Sequence, residues 1–337
     1  MKKEFAMLAA TYNGSQAVVG KMISRKLNGW GCIWDGGVTR GQLATNVPWY
    51  FEGGDKRLTY TVRSTGLWTI GRADKNGIRP KVIEAPKWYL DQLPLDVPLH
   101  GELWKDDDLG YVKSVCGQGI DGKYDPRWHN IQYMVYNVKP YVCFPGIASF
   151  RGPSNPFWFN EMWERRMDAA KKSVWYSYDN FFNIGQFLKQ ERIDSQEYFN
   201  NYVEHAMNEG WEGAMVVNPL SLYECYRSSA LLKVKPEFDI EATVTGYTDG
   251  DKRHTGRMGA VSCVLVWDER VVDFTGGRQE FVGREVRFKV GGGFSDGQRE
   301  WDWVKSTYPI GSQIHFTFLG VSNDAIPFSC NHAKGAV

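Results

Sequence analysis

A chain of 337 residues with 42% apolar and 23% charged residues describes a folded soluble protein, long enough for two domains of unequal size and a sizeable core. Its 40 basic and 39 acidic residues leave a net charge of +1, which excludes a polycation that holds nucleic acid by bulk attraction. Any such contact has to come from local patches, of which Lys171 with Lys172, the run KRH at 252–254, and Arg284 with Arg287 are candidates.

The N-terminal MKKEFAMLAATYNGSQ is basic and then mildly apolar, but Thr11, Tyr12 and Asn13 interrupt the apolar run, so it does not read as a secretory leader. No other stretch approaches the apolar length a bilayer requires. A cytoplasmic location without membrane contact is the expectation, in a bacterium or in the host of a phage. Next comes SRKLNGWG at 24–31, in which Asn28-Gly29 reads as a two-residue hairpin turn and Lys26 as an exposed lysine preceding it. Residues 20–150 are β-rich: GCIWDG, RLTYTVRS, LWTIGR and NIQYMVYNVKPY are short apolar or alternating runs bounded by turn residues.

Two helices follow. SNPFWFNEMWERRMDAAKKS places Phe159, Met162, Trp163, Met167 and Ala170 at helical spacing, and DSQEYFNNYVEHAMNEG opens on Asp194 or Ser195 as an N-cap. Strands return in EGAMVVNP and LLKVKP. Beyond Pro236 about five short strands and glycine turns in roughly a hundred residues suggest a small barrel of the OB type. The six cysteines, Cys32, Cys116, Cys143, Cys225, Cys263 and Cys330, form no C-x-x-C pair, so neither a zinc ribbon nor a disulfide framework is indicated.

Four separated signals stand in one order: KLNG at 26–29, HGELW at 100–104, EGAMVV at 212–217 and LLKVKPEFDIEA at 231–242. This order resembles the covalent nucleotidyltransferases, and specifically the compact ATP-dependent DNA ligases of phages and bacteria, whose motifs read K-x-D-G, D-G-E, E-G-x-[MV] and L-x-K-x-K-x-x-x-D. GGGFSDGQRE at 291–300 resembles a further element of their OB domain, so the likeness runs over roughly residues 20–320. It implies an α+β architecture: an antiparallel-sheet adenylation domain at 1–237, then an all-β OB-fold domain at 238–337. It also implies nick sealing in duplex DNA, as replication, repair and recombination require, with ATP and Mg²⁺ (Mn²⁺ as the alternative metal), by a monomer. No separate N-terminal DNA-binding domain fits before Lys26.

The same resemblance makes Lys26 the nucleophile that takes AMP, with Asn28 and Gly29 beside it. An amine attacks phosphorus only when unprotonated, so cations around the site are needed. Lys233, Lys235 and Arg63 supply them. Residues two apart on a strand share a face, so Lys233 and Lys235 are expected to reach one triphosphate. Glu102 and Glu212 are the expected Mg²⁺ ligands, direct or through water; Glu102 also matches the glutamate that contacts the ribose. Arg63 in TVRSTG matches the arginine that contacts the nucleotide sugar or the downstream phosphate, and Tyr136 the ring that stacks on adenine.

The chain departs from the family pattern at several positions. Asn28 replaces the motif aspartate, Ser24 a glutamate that reads the adenine amino group, Gly31 an arginine, and Asn137 an aspartate. Arg40 is the candidate to compensate for the arginine. The C-terminal R-x-P-x-F is reduced to Pro327 and Phe328 in NDAIPFSCNHAKGAV, leaving Arg299 or Lys334 to orient the pyrophosphate. Two alternatives remain open at this point: an RNA ligase or mRNA guanylyltransferase, which shares the lysine and both glutamates, and a noncatalytic nucleic-acid-binding protein derived from a ligase.

Overall fold

A computed structural model describes residues 4–50, 62–70, 80–117, 124–147, 155–235, 238–275, 277–322 and 324–333. The chain divides into two compact units, one of Met1–Ala206 with Trp211–Val234, the other of Lys235–Val337 with Met207–Gly210.

The first unit is built on strands β1 (Leu8–Thr11), β2 (Met22–Arg25), β3 (Trp30–Trp34), β4 (Leu67–Thr69), β5 (Leu99–Trp104), β6 (Gln132–Val138), β7 (Gly185–Phe187), β8 (Glu191–Arg192), β9 (Ala214–Val217) and β10 (Arg227–Val234). They form two five-stranded sheets, ordered β1-β10-β9-β2-β8 and β4-β3-β5-β6-β7. Most pairs are antiparallel; β1 with β10 and β6 with β7 are parallel. The helices are α1 (Lys87–Leu90), α2 (Leu109–Cys116), α3 (Trp163–Ser177) and α4 (Gln196–Asn208).

Period-two alternation divides the first sheet between two environments. Ile23, Val216 and Leu232 lie in one cross-strand row and pack with Phe199 of α4 in a small apolar cluster. The adjacent row, Ser24, Met215 and Lys233, therefore faces the opposite side, as opposed residues on a sheet must. Ser195 begins α4 as expected, its Oγ accepting from the Tyr198 amide at 3.0 Å, which satisfies one of the free N–H groups of the first turn. The larger core joins the second sheet, α2 and α3 around Trp34, Trp68, Trp128, Tyr133 and Phe181.

The structure corrects the local reading of Asn28-Gly29. β2 and β3, which flank it, belong to different sheets, so residues 26–29 form a crossing rather than a hairpin turn. Of the expected strand RLTYTVRS, residues 57–61 lie outside the described residues, and Arg63 forms an isolated bridge with Leu43. All six cysteines are free, and no described helix is long and apolar enough to cross a membrane.

The second unit contains β11 (Phe238–Asp249), β12 (Met258–Val266), β13 (Glu285–Val290), β14 (Gln313–Phe318), β15 (Gly320–Val321), β16 (Pro327–Phe328) and β17 (Asn331–His332), with α5 (Arg270–Thr275) and α6 (Trp301–Thr307). Five strands run β13-β12-β11-β14-β17, and a bridge from Asn331 to Gly292 just past β13 curls the sheet back on itself. In β13 the alternation is complete: Val286, Phe288 and Val290 are buried, while Glu285, Arg287 and Lys289 are exposed. This is the barrel that the strand density after Pro236 suggests.

Candidate active site

The first unit encloses a cavity of about 530 Å³ whose lining includes Lys26, Asn28, Gly29, Glu102, Tyr136, Glu212 and Lys233. Two pairing registers converge on it. β2 and β9 align Arg25 with Ala214, so the residues just beyond, Lys26 and Glu212, meet: the Lys26 amide donates to the Gly213 carbonyl at 2.8 Å, and its ammonium is ion-paired with Glu212. β3 and β5 align Gly31 with Glu102, and Glu102 Oε1 accepts from the Gly29 amide at 3.0 Å. An added Cβ on Gly29 would lie 2.5 Å from the Leu103 carbonyl oxygen. Only glycine lets the crossing come this close to β5.

Glu102 opens toward the cavity yet is otherwise enclosed by protein. Burial pushes its carboxyl up to about 7; the Lys26 ammonium and the Gly29 amide oppose that rise, and the charges of Glu212 and Asp107 add to it. A carboxyl held near neutrality among other carboxylates is one that a bound cation would ionise readily.

Lys233 faces the cavity from the row it shares with Ser24 and Met215. Lys235 does not follow it: β10 ends at Val234, so the same-face argument stops there, and Lys235 is absent from the lining. Arg63 is exposed, donates to the Gly41 carbonyl at 2.7 Å, and is likewise not brought to the cavity. Arg40, the candidate substitute for the arginine missing at 31, is paired with Asp91 and does not line the cavity either. A Cβ at 31 would meet the Ile70 side chain, at 2.2 Å from Cδ1 and 3.1 Å from Cγ1. Arg299 is also engaged: it is buried and donates to the carbonyls of Met258, Gly259 and Gly291, so it braces the barrel. Lys334 lies outside the described residues.

Tyr136 lines the cavity above an apolar patch of Leu27, Met134 and Leu188. Behind it runs a buried relay that sequence reasoning missed. The Tyr223 hydroxyl accepts from the Met7 amide at 3.2 Å and contacts His100 Nδ1 at 2.9 Å, while His100 Nε2 meets the Tyr136 hydroxyl at 3.2 Å. Burial, with the nearby Lys139 and Arg166 charges, pushes His100 down to about 3, so the imidazole is neutral. One ring nitrogen therefore carries the proton and donates while the other accepts, so the imidazole links the Tyr223 and Tyr136 hydroxyls in either tautomer. Asn137, standing where an aspartate is frequent, accepts from Arg166 at 3.0 and 3.1 Å, whose guanidinium also donates to the Glu161 and Ser221 carbonyls.

α2 was also missed. It brings Leu109 and Lys113 to the cavity, and its signal was the aspartate run before it, because Asp108 caps the helix by accepting from the Tyr111 amide at 2.8 Å.

No family profile matches the chain. A DNA ligase of Haemophilus influenzae is 27% identical over 142 residues, 42% of this chain and 44% of that protein; the match thus spans less than half the length of the curated relative. Among solved structures, one described as "DNA binding with a minimal scaffold: Structure-function analysis of Lig E DNA ligases" is 20% identical with a TM-score of 0.62, covering 97% of both chains. Another, named Pmar-Lig_PreS3, is 20% identical with a TM-score of 0.61 over 98% of this chain and 66% of that one. With its two mostly antiparallel sheets around a lysine-bearing cavity and its curled five-stranded second unit, the chain has the fold of the compact DNA ligases, an α+β unit followed by an OB-fold unit.

Proposed function

We propose that this chain is an ATP-dependent DNA ligase that seals nicks between a 3′-hydroxyl and a 5′-phosphate in duplex DNA, acting as a cytoplasmic monomer. One observation carries the reading: Lys26, paired with Glu212, stands at a cavity that also presents Glu102 and Lys233 in a ligase fold. Lys26 Nζ, once it has given up a proton, attacks the α-phosphorus of ATP; the P–N bond forms and pyrophosphate leaves. The AMP then passes to the 5′-phosphate of the nick, and the 3′-hydroxyl displaces it. Each step is an in-line displacement at phosphorus, for which the protein supplies positioning and charge.

Glu212 directs the Lys26 amine through its carboxylate, and the Lys233 ammonium faces the phosphates. Lys235 and Arg63 belong to this reading through their motifs alone. Tyr136 offers its ring to adenine and Asn28 with Gly29 hold the crossing that carries Lys26. Two carboxylates, one of them raised to about 7 chiefly by burial, fit Mg²⁺, which typically binds through one or two carboxylates together with phosphates and water. Glu102 and Glu212 would hold it, and when bound it would neutralise charge on the phosphoryl oxygens. Mn²⁺ suits the same donors.

The test is the intact mass of the purified protein after incubation with Mg²⁺ and ATP or GTP, beside Lys26→Ala. A gain of one AMP from ATP alone, absent in the variant, followed by sealing of nicked DNA, supports the reading. An adduct from GTP would transfer the weight to a guanylyltransferase, sealing of nicked RNA alone to an RNA ligase, and no adduct from either, with the purified protein shown not to be adenylated already, to a noncatalytic protein.

A further inference from the structure

We propose that Asp107, in the loop between β5 and α2, is the positioning residue for the Lys26 nucleophile, and that Asn28 is its required partner rather than a decayed motif aspartate. The proposal rests on the nucleotidyl-transfer reading and deepens it.

Asp107 holds the chain on both sides of Lys26. On the N-terminal side its carboxylate is ion-paired with Arg25, whose guanidinium also lies over the Trp211 ring at 4.7 Å and the Trp104 ring at 5.8 Å. On the C-terminal side Asp107 Oδ1 accepts from the Asn28 amide at 3.1 Å, and Asn28 Nδ2 donates to the Asp107 carbonyl at 3.0 Å. Trp104 Nε1 donates to the same Oδ1 at 2.6 Å. One residue thus fixes positions 25 and 28, and the Lys26 amide is tied to Gly213, so the backbone that aims Nζ has little freedom.

The arrangement also separates the charges. Asp107 answers Arg25, and Glu212 answers Lys26. An aspartate at 28 would keep its backbone N–H for Asp107 Oδ1 but would face the Asp107 carbonyl with no hydrogen to give, so two oxygens would oppose each other there. The asparagine is therefore the residue this geometry calls for.

The backbone gives a second, independent sign. Asp106 and Asp107 both adopt left-handed conformations, with φ of 46° and 57°. Two successive non-glycine residues of this kind are strained, and such strain persists where the surroundings impose it, commonly at functional sites.

The experiment is single-turnover lysyl-AMP formation, followed by intact mass against ATP concentration, for the wild type, Asn28→Asp, Asp107→Gly and Asp107→Asn, with Lys26→Ala as blank. Glycine accepts the left-handed backbone and retains the carbonyl that Asn28 uses. We expect Asp107→Gly and Asn28→Asp to slow the maximal rate about 10- to 100-fold, the scale of a misplaced reacting group, with the half-saturating ATP concentration unchanged. Asp107→Asn, which keeps an oxygen for Asn28 and Trp104, should recover most of the rate. A wild-type maximal rate in Asp107→Gly or Asn28→Asp overturns the proposal, as does a loss confined to half-saturation. Should Asp107→Gly fail to fold, Asn28→Asp decides, being of the same size. A wild type that forms no adduct overturns the ligase reading and this proposal with it; a wild type that adenylates beside variants that match it overturns this proposal alone.

Discussion

Gly29→Ala and Gly31→Ala make the same chemical change two residues apart and should have different consequences. At 29 the new methyl would lie 2.5 Å from the Leu103 carbonyl oxygen and 2.9 Å from Glu102 Cγ. The oxygen belongs to a strand inside a hydrogen-bonded sheet and cannot step aside, so the crossing must retreat and the Gly29 amide must leave Glu102 Oε1. Losing a hydrogen bond to a charged group costs about 1.5–3 kcal/mol. If that bond is what holds Glu102 for phosphoryl transfer, lysyl-AMP formation slows about 10- to 150-fold. At 31 the methyl meets only the Ile70 side chain, Cδ1 at 2.2 Å and Cγ1 at 3.1 Å, a side chain that can turn. There the expected effect is overpacking of about 1–3 kcal/mol in stability with the rate preserved. Single-turnover adduct formation and thermal melting of both variants separate the two. Gly29→Ala at the wild-type rate, or Gly31→Ala the slower of the two, would refute the reasoning.

Three further outcomes follow from the geometry. Tyr136→Ala should raise the half-saturating ATP concentration by about 5- to 150-fold, the worth of one stacked base at roughly 1–3 kcal/mol, whereas Tyr136→Phe, which loses only the contact to His100, should stay near wild type; equal losses would mean the hydroxyl rather than the ring matters. Arg299→Ala strips three carbonyls of their donor and should destabilise the second unit by at least about 2 kcal/mol, read as a lower denaturant midpoint. Asp35, fully buried, is raised from 3.8 to about 6, chiefly by burial, against the opposing hydrogen bonds of Thr39 and Trp68. Its folded form binds the proton more tightly than the unfolded chain, so its contribution to stability is greatest below pH 3.8 and falls by about 3 kcal/mol in all as pH rises through 6. Asp35→Asn should flatten that part of the urea-unfolding profile; an unchanged slope would show that Asp35 is not its source.

What the sequence made legible, and what it did not, follows from how far apart the cooperating groups lie in the chain. Alternating runs such as EVRFKV at 285–290 carry their own environment, because each buried residue is separated from the next by one exposed residue, and the barrel could be read from them. Lys26, Glu102, Glu212 and Lys233, which line the cavity, could be picked out because each sits in a short motif within or beside a strand. The braces behind them were not: Asp107 lies 79 residues from Asn28, and His100 reaches Tyr223 across 123. No local pattern marks such pairs, since their meeting is decided by sheet register.

That same dependence explains why the local reading of Asn28-Gly29 pointed the wrong way. Asn-Gly favours a tight turn when the flanking strands can pair with each other, but β2 finds β9, and β3 finds β4 and β5. With hairpin pairing lost to these longer-range partners, the two residues serve other needs: the asparagine for a side chain that donates to the Asp107 carbonyl, the glycine for close approach to β5. The departures at 28 and 31 are then consequences of contacts made elsewhere, to Asp107 and to Ile70. Placing at either position the residue of the ligase motif that the sequence resembles should harm the protein. Gly31→Arg makes that argument testable: it should lower the melting temperature, because the side chain has to enter the space Ile70 fills, and a variant that melts at or above wild type would mean that the crossing tolerates the family residue after all.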